Sequence, residues 1–171
     1  MSRRSLAIGG VAVALGSVLM LSLLWGLQHA ALSNPPVLGR VAPRLAIQTA
    51  GGDQVRVWEM QGKPVVLNFW ASWCGPCVAE GSVLADASAA HHDIKFVGAD
   101  NRDTTFGFEA FEQRHPHTYP AGPIVVGSYQ SYGVAGLPAT FFIDAHGLVV
   151  ASFTGPLDAS TLNHYLGLIA H

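Results

Sequence analysis

The feature that most constrains the fold is an almost uninterrupted apolar run, Val65–Trp70, which ends shortly before the only two cysteines of the chain. A strand whose side chains do not alternate between apolar and polar is typical of a sheet covered on both faces. After Cys74 and Cys77, the residues from Pro76 to about Ala90 place apolar side chains at roughly helical spacing. The pattern therefore predicts a buried central strand, a loop that carries the cysteines, and a helix that begins beside them.

Short apolar segments separated by turn residues predict the remaining elements. They are a hairpin of Leu45–Ile47 and Val55–Val57, strands at Ile94–Ala99 and Ile124–Val126, a helix around Phe106–Glu112, a helical turn at Ser128–Tyr132, a hairpin of Ala139–Ile143 and Leu148–Phe153, and a last helix, Ala159–Ile169, capped by Asp158. The β-α-β-α order followed by an antiparallel hairpin predicts an α/β domain.

The N-terminal segment carries no Lys, Arg, Asp or Glu between Arg4 and Arg40. As a helix, Leu6–Leu27 would be about 33 Å long, and the hydrocarbon core of a bilayer is about 30 Å thick. Cations precede the run at Arg3 and Arg4 and follow it only at Arg40, so the positive-inside rule places the C-terminal domain outside the cytoplasm. We expect a single transmembrane anchor, with Trp25 near its outer interface.

Two other export signals compete with a retained anchor. A cleaved signal peptide would need a small-residue site such as Ala31–Ser33, but the apolar run is longer than the usual signal core. The pair Arg3–Arg4 also resembles part of a twin-arginine signal. All three alternatives export the domain, and the favoured organisation is an anchor at residues 1–27, a linker at 28–39 and a domain at 40–171.

Composition excludes several classes of protein. The chain has 171 residues, about one domain, and its hydrophobic fraction of 50% argues against disorder. The net charge is −2, and the acidic excess grows once Arg3 and Arg4 are set aside, so a nucleic-acid partner is not expected. Two cysteines cannot form a multi-bridge framework.

The Cys-X-X-Cys spacing predicts redox chemistry. At the start of a helix, unpaired amides and the helix dipole favour the thiolate, so Cys74 is expected to be the exposed nucleophile. Cys77, one turn further into the helix, is expected to be shielded and to resolve a mixed disulfide on Cys74. Pro76 suits the first helical turn because it lacks a donor that would be unpaired there, and the Trp73 indole could cover one side of the site.

Two other interpretations of the cysteine pair stay open. One is a permanent structural disulfide, although a bond that closes so short a loop stabilises little. The other is half of a zinc site completed by His91, His92 or His115–His117, although no second ligand pair at the usual spacing is evident. Those histidines are more simply explained as solvated side chains, and we expect no metal and no cofactor.

Two segments together resemble the thioredoxin fold. Val65–Cys77 resembles its active-site strand and loop, and Gly136–Thr140 resembles its cis-proline segment. Within that superfamily the chain is most similar to the membrane-tethered, extracytoplasmic thioredoxins of cytochrome c maturation, the CcmG/DsbE and ResA/TlpA group. The N-terminal anchor, the early hairpin, Asn68 and Glu80 carry this finer resemblance. It implies a thioredoxin-like α/β fold, with a central mixed sheet flanked by helices, an N-terminal β-hairpin and one transmembrane helix.

The resemblance also implies roles for individual residues. Cys74 would attack and Cys77 would resolve, so that the two form a redox-active disulfide. Pro138 would be a cis-proline, and the backbone of its neighbour Leu137 would pair with an extended substrate. Glu80, if it points beneath the helix toward Cys77, could hold or move the proton of that thiol, with its own pKa raised by burial. The alternative is a solvated carboxylate.

Three further residues around the cysteines, Trp73, Gly75 and Pro76, would contact substrate together with Leu137. The stretch Asn101–Pro123 matches an extra segment of the group that could shape the choice of partner. Ser82 and Ala139 depart from the pattern, since many relatives carry a proline and an acidic residue there.

The function expected from the resemblance is reduction of disulfides in exported proteins, such as apocytochrome c before haem attachment. A transmembrane thiol donor of the DsbD/CcdA type would supply electrons to this periplasmic domain, which we expect to be monomeric. The alternatives are a general oxidase, isomerase or reductase, because direction follows reduction potential, and a copper chaperone of the same fold. A peroxidase is disfavoured because Ala71 stands where that family carries a threonine.

Overall fold

The computed structural model describes residues 15–25 and 37–170. The chain divides into two compact units, Met1–Pro35 and Pro36–His171. In the first unit, residues 15–25 form a helix, α1, with exposed side chains. The predicted anchor, Leu6–Leu27, extends beyond the described residues on both sides, and the predicted linker lies mostly outside them. Among the residues that are described, no helix is both long enough and apolar enough to cross a membrane.

The second unit is built around one seven-stranded sheet. Its elements are β1 (Ala46–Gln48), β2 (Gln54–Arg56), β3 (Val65–Trp70), α2 (Gly75–Ala90), β4 (Lys95–Asp100), α3 (Thr105–Arg114), β5 (Ala121–Val126), β6 (Ala139–Ile143), β7 (Val149–Thr154) and α4 (Ala159–Ile169), with 3-10 turns at Val57–Glu59 and Tyr129–Tyr132.

The strands are ordered β2-β1-β5-β4-β3-β6-β7. β3 runs parallel to β4 and antiparallel to β6, so the sheet is mixed. β1 and β2 pair antiparallel with each other at one edge, and β6 and β7 do so at the other. This is the thioredoxin-like arrangement that the resemblance implies, with the cysteine loop at the end of a central strand.

Burial of β3 on both faces explains its unbroken apolar sequence. Val65, Leu67 and Phe69 face one core cluster, in which Phe69 contacts Tyr132 and Phe141. Val66, on the opposite face, packs in a second cluster with side chains of α2 and α4. A buried side chain of this size contributes about 1.5–3 kcal/mol, so the two clusters fix the strand that leads into the cysteines.

One strand is longer than the sequence pattern predicted. Ile124–Val126 was the expected strand, but β5 begins at Ala121, because residues 121–123 pair with β4 while residues further along pair with β1. Gly122 makes this double pairing possible, since a Cβ atom there would lie 1.9 Å from the Gln48 carbonyl oxygen. The pattern missed this start because pairing partners, and not local apolarity, define it.

Candidate active site at the Cys74–Cys77 disulfide

The start of α2 positions the two cysteines. Cys74 is the N-cap residue of the helix, with Gly75 and Pro76 in the first turn. The Cys74 amide donates to the Ala71 carbonyl at 3.1 Å, which closes the loop that follows β3. The Cys77 amide donates to Cys74 Sγ at 3.3 Å, and the two residues form a disulfide with a Cα–Cα distance of 5.3 Å. The predicted pair is therefore joined at a helix N-terminus, where a thiolate is stabilised.

The expected difference in exposure between the two cysteines is wrong for the disulfide form. Cys74 and Cys77 are each only 5% exposed. The disulfide lies in a cluster whose other members are apolar: Trp70, Ala71, Phe108, Phe111, Ala121 and Leu137. The burial of Cys74 could not be predicted from the sequence, because the side chains that cover it come from α3, β5 and the segment before β6. What distinguishes Cys74 is its place at the helix end.

The residues expected to contact substrate surround the disulfide. Gly75 and Pro76 are exposed, and Trp73 is 64% exposed. Trp73 and Leu137 line one cavity of about 280 Å³, together with Arg102 and Tyr129. The loop before the cysteines and the segment before β6 therefore share one concave surface.

The segment before β6 also carries the predicted cis-proline. The Leu137–Pro138 peptide bond is cis. Pro138 is buried, and its carbonyl accepts a hydrogen bond from the Gly155 amide at 2.9 Å, which ties the segment to the end of β7. Leu137, the residue before this proline, thus lines the concave surface that also contains Trp73.

Glu80 is buried beneath α2, and the solvated alternative is wrong. The residue is 2% exposed, and its carboxyl accepts hydrogen bonds from Asn68 Nδ2 at 2.8 Å and from the Leu157 amide at 2.9 Å. Burial raises the pKa of Glu80, and the two hydrogen bonds oppose that rise. Asn68 also donates to Thr140 Oγ1 at 3.0 Å. The carboxyl is therefore held between β3 and the segment before α4, and Asn68 is itself bonded to β6.

A second cavity of about 280 Å³ lies behind Cys77 and includes His115 and His117 in its lining. The expectation that these histidines are solvated is wrong for His117, whose Nδ1 contacts Glu112 and whose ring packs on Trp70 with centroids 4.5 Å apart. Within residues 15–25 and 37–170 there is no group of three or more His, Cys, Asp or Glu residues that could hold a metal ion.

Sequence reasoning missed an acidic pair beside the cysteine loop. The Asp103 carboxylate accepts hydrogen bonds from the Ser72 amide at 2.7 Å and from Ser72 Oγ at 2.9 Å. Asp100, at the end of β4, is 3% exposed, and burial together with the nearby Asp103 charge raises its pKa to about 8. A signal was present, since Asp100 directly follows the predicted strand Ile94–Ala99, but nothing local pairs it with the cysteine loop.

Comparison with known proteins identifies the family. Residues 38–152 match the AhpC/TSA family. The chain belongs to this family. ResA from Bacillus anthracis, a thiol-disulfide oxidoreductase, is 27% identical over 135 residues, which cover 75% of this chain and 76% of that protein. The AhpC/TSA domain seen here thus carries the two cysteines of the predicted exchange site.

Solved structures agree with this assignment. A proposed thiol:disulfide interchange protein DsbE from Chlorobium tepidum superimposes with a TM-score of 0.71 at 26% identity, over 80% of this chain and 98% of that one. A secreted Mycobacterium tuberculosis disulfide oxidoreductase homologous to E. coli DsbE gives 0.62 at 25% identity, over 72% and 94%. The suspected resemblance is confirmed, and the chain is a thiol-disulfide oxidoreductase of the ResA/DsbE type.

Proposed function

We propose that this protein is a membrane-anchored reductase that acts outside the cytoplasm on disulfides of exported proteins, with apocytochrome c as the favoured substrate. The observation that carries the proposal is the Cys74–Cys77 disulfide at the N-terminus of α2, which packs in one cluster with Leu137 of the cis Leu137–Pro138 bond, while Glu80 is buried one turn further along the helix. The similarity to ResA and to DsbE-type proteins supports it. The charge-free run Leu6–Leu27 after Arg3 and Arg4 supports the location.

The exchange itself requires only the two cysteines. In the reduced protein, the Cys74 thiolate attacks one sulfur of the substrate disulfide, and the other substrate sulfur leaves as a thiolate that takes up a proton. The Cys77 thiolate then attacks Cys74 Sγ in the mixed disulfide and releases the second substrate thiol. Two electrons have moved to the substrate, and Cys74 and Cys77 are again oxidised. A transmembrane dithiol of the DsbD/CcdA type would reduce them for the next cycle.

Glu80 is proposed to influence the proton of Cys77. The resolving thiol must lose its proton before it attacks, and the apolar cluster around Cys77 opposes that loss because desolvation disfavours a thiolate. Burial raises the pKa of the Glu80 carboxyl and so favours its protonated form, and a general acid or base must be able to hold and release a proton. Its hydrogen bonds from Asn68 and Leu157 fix its orientation during the cycle.

An extended polypeptide fits the surface around the disulfide. The Leu137 backbone would pair with a substrate strand, as main-chain pairing gives affinity in such complexes. Trp73, which directly precedes Cys74, is 64% exposed, and aromatic side chains are enriched at binding surfaces. Gly75 and Pro76, between the cysteines, leave the loop open to a partner.

The reduction potential of the full-length chain in detergent, titrated in thiol/disulfide buffers with alkylation as readout, tests the proposal. A reductant requires a potential near or below about −270 mV, that of thioredoxin, and we expect a value in this range. A potential near about −120 mV, as in DsbA, would contradict the proposal and make the protein an oxidant. If Cys74 and Cys77 showed no reversible thiol/disulfide couple, the protein would be neither a reductant nor an oxidant.

A second arm tests the substrate. The reduced protein is mixed with an oxidised Cys-X-X-Cys-His peptide and with a matched peptide in which the histidine is replaced by alanine. Faster reduction of the first peptide supports apocytochrome c as the substrate. Equal rates on both peptides would contradict that assignment and favour a general reductase.

A further inference from the structure

One carboxylate anchors the loop that leads into the nucleophilic cysteine. The Ser72 amide and the Ser72 hydroxyl both donate to Asp103, at 2.7 and 2.9 Å. Ser72 lies inside the turn that the Cys74 amide closes onto the Ala71 carbonyl. Hydrogen bonds to an ionised carboxylate are shorter and stronger than neutral ones. Asp103 therefore fixes the backbone two residues before Cys74.

A second acid lies directly next to this anchor. Asp100 ends β4 opposite Trp70 of β3, and the Asn101 amide donates to the Trp70 carbonyl at 2.8 Å, so the acid is held at the base of the cysteine loop. Within the described part of the chain, Asp100 Oδ1 is buried without a hydrogen-bond partner. Such a group is costly to ionise and persists where the surrounding structure uses it.

We propose that Asp103 is a positioning residue for thiol–disulfide exchange, and that the protonation state of Asp100 sets how firmly Asp103 holds Ser72. The proposal rests on exchange at Cys74 but on no particular substrate. While Asp100 keeps its proton, it can donate a hydrogen bond to Asp103, the pair carries one negative charge, and both Asp103 oxygens continue to accept from Ser72. When Asp100 ionises, the second charge repels Asp103 and weakens its hold on the loop.

The charges around Asp100 support this coupling. Burial raises the pKa of Asp100 to about 8, with further upward contributions from Asp103 and Glu112. Asp100 and Asp103 line a cavity of about 330 Å³, whereas the guanidinium of Arg102, which also lines it, lies over the Tyr129 ring. The cavity therefore gives the proton of Asp100 a path to solvent from the folded domain.

Nuclear magnetic resonance of the oxidised full-length protein reads the anchor directly. The oxidised form is used because disulfide-bonded cysteines do not titrate. We expect the Ser72 amide proton to lie downfield and to shift upfield with a midpoint near pH 8. Asp100→Asn should abolish this titration, whereas Glu109→Gln, an exposed change on α3, should leave it in place. The coupling would be overturned if the chemical shift of the Ser72 amide proton did not change with pH, or if it titrated equally in Asp100→Asn.

Exchange kinetics test the positioning role. The variants reduce a small aromatic disulfide in repeated turnovers, with a dithiol supplying the electrons and the uncatalysed rate subtracted, so the outcome does not depend on which protein is the natural substrate. Displacing a reacting group slows the chemistry, so we expect Asp103→Asn to lower kcat about tenfold and to change KM less than twofold. Ser72→Ala removes the hydroxyl but keeps the hydrogen bond from the Ser72 amide to Asp103, so its kcat should fall about threefold. Wild-type kcat in both variants would contradict the positioning role.

Controls separate this role from general damage to the fold. Circular dichroism and quantitative formation of the disulfide should be unchanged in the variants that are compared. If Asp103→Asn does not fold, Ser72→Ala and Ser72→Thr carry the test, because Thr keeps the hydroxyl donor and should restore the rate. Equal rates for Ser72→Ala and Ser72→Thr would overturn the role of the hydroxyl bond.

Discussion

Asn68 Nδ2 lies 2.8 Å from the Glu80 carboxyl and donates to it in the interior of the domain. The two residues come from the central strand β3 and the active-site helix α2, and they are 3% and 2% exposed. The amide of Leu157 donates to the other Glu80 oxygen. This arrangement joins the strand and the helix that hold the cysteine loop between them, so Glu80 has a structural role as well as its proposed role in proton transfer.

Replacement of Glu80 by glutamine tests both roles. The variant places an amide NH₂ opposite one of two buried N–H donors, so we expect a loss of about 1–3 kcal/mol in the free energy of unfolding. We also expect slower resolution of the mixed disulfide. Urea unfolding and stopped-flow exchange measure the two effects. Asp86→Asn, an exposed change on the same helix, is the control, and resolution at the wild-type rate in Glu80→Gln would contradict the proton role.

Replacement of each cysteine should block a different step of the exchange reaction. Cys74→Ser should abolish exchange, because the nucleophile is lost. Cys77→Ser should accumulate a mixed disulfide between Cys74 and the substrate, because nothing resolves it. Non-reducing gels and intact-mass measurement detect the trapped species. Normal turnover in Cys77→Ser would show that Cys77 is not the resolving thiol.

The stability of the domain should depend on the proton of Asp100. Its pKa is raised from 3.8 to about 8 in the folded protein. The folded state thus holds this proton more tightly than the unfolded chain, so the contribution to stability is complete below about pH 4 and is lost as pH rises toward 8. Urea unfolding across this range should give a shallower alkaline decline in Asp100→Asn. Parallel curves for that variant and the wild type would contradict the assignment, and Asp86→Asn should retain the wild-type curve.

Gly122 should not tolerate a side chain. A Cβ atom at this position would lie 1.9 Å from the Gln48 carbonyl oxygen in the neighbouring strand, so Gly122→Ala must push β1 and β5 apart. We expect the free energy of unfolding to fall by about 2 kcal/mol or more, which urea unfolding detects as a lower midpoint. Gly81→Ala is the matched control, because no atom lies within 4 Å of its added Cβ and alanine favours a helix. Equal midpoints for the two variants would count against the close contact.

Several features of the site follow from local sequence. The unbroken apolar run of β3, the helix that begins at the cysteines and the Asp158 cap of α4 depend on side-chain periodicity and on hydrogen bonds to nearby amides. The resemblance supplied what no local pattern could, the cis bond before Pro138 and the buried place of Glu80. The anchor at Leu6–Leu27 stays a prediction.

By itself, therefore, the sequence determined the redox pair, its position at a helix end and the strand that leads into it. These depend on residues close together in the chain. Only the tertiary structure decided that Cys74 is as buried as Cys77, that β5 begins at Ala121, and that Asp103 holds Ser72. Each of these depends on which distant segments pack together, and burial, strand pairing and the pKa of Asp100 exist only after that packing has removed water.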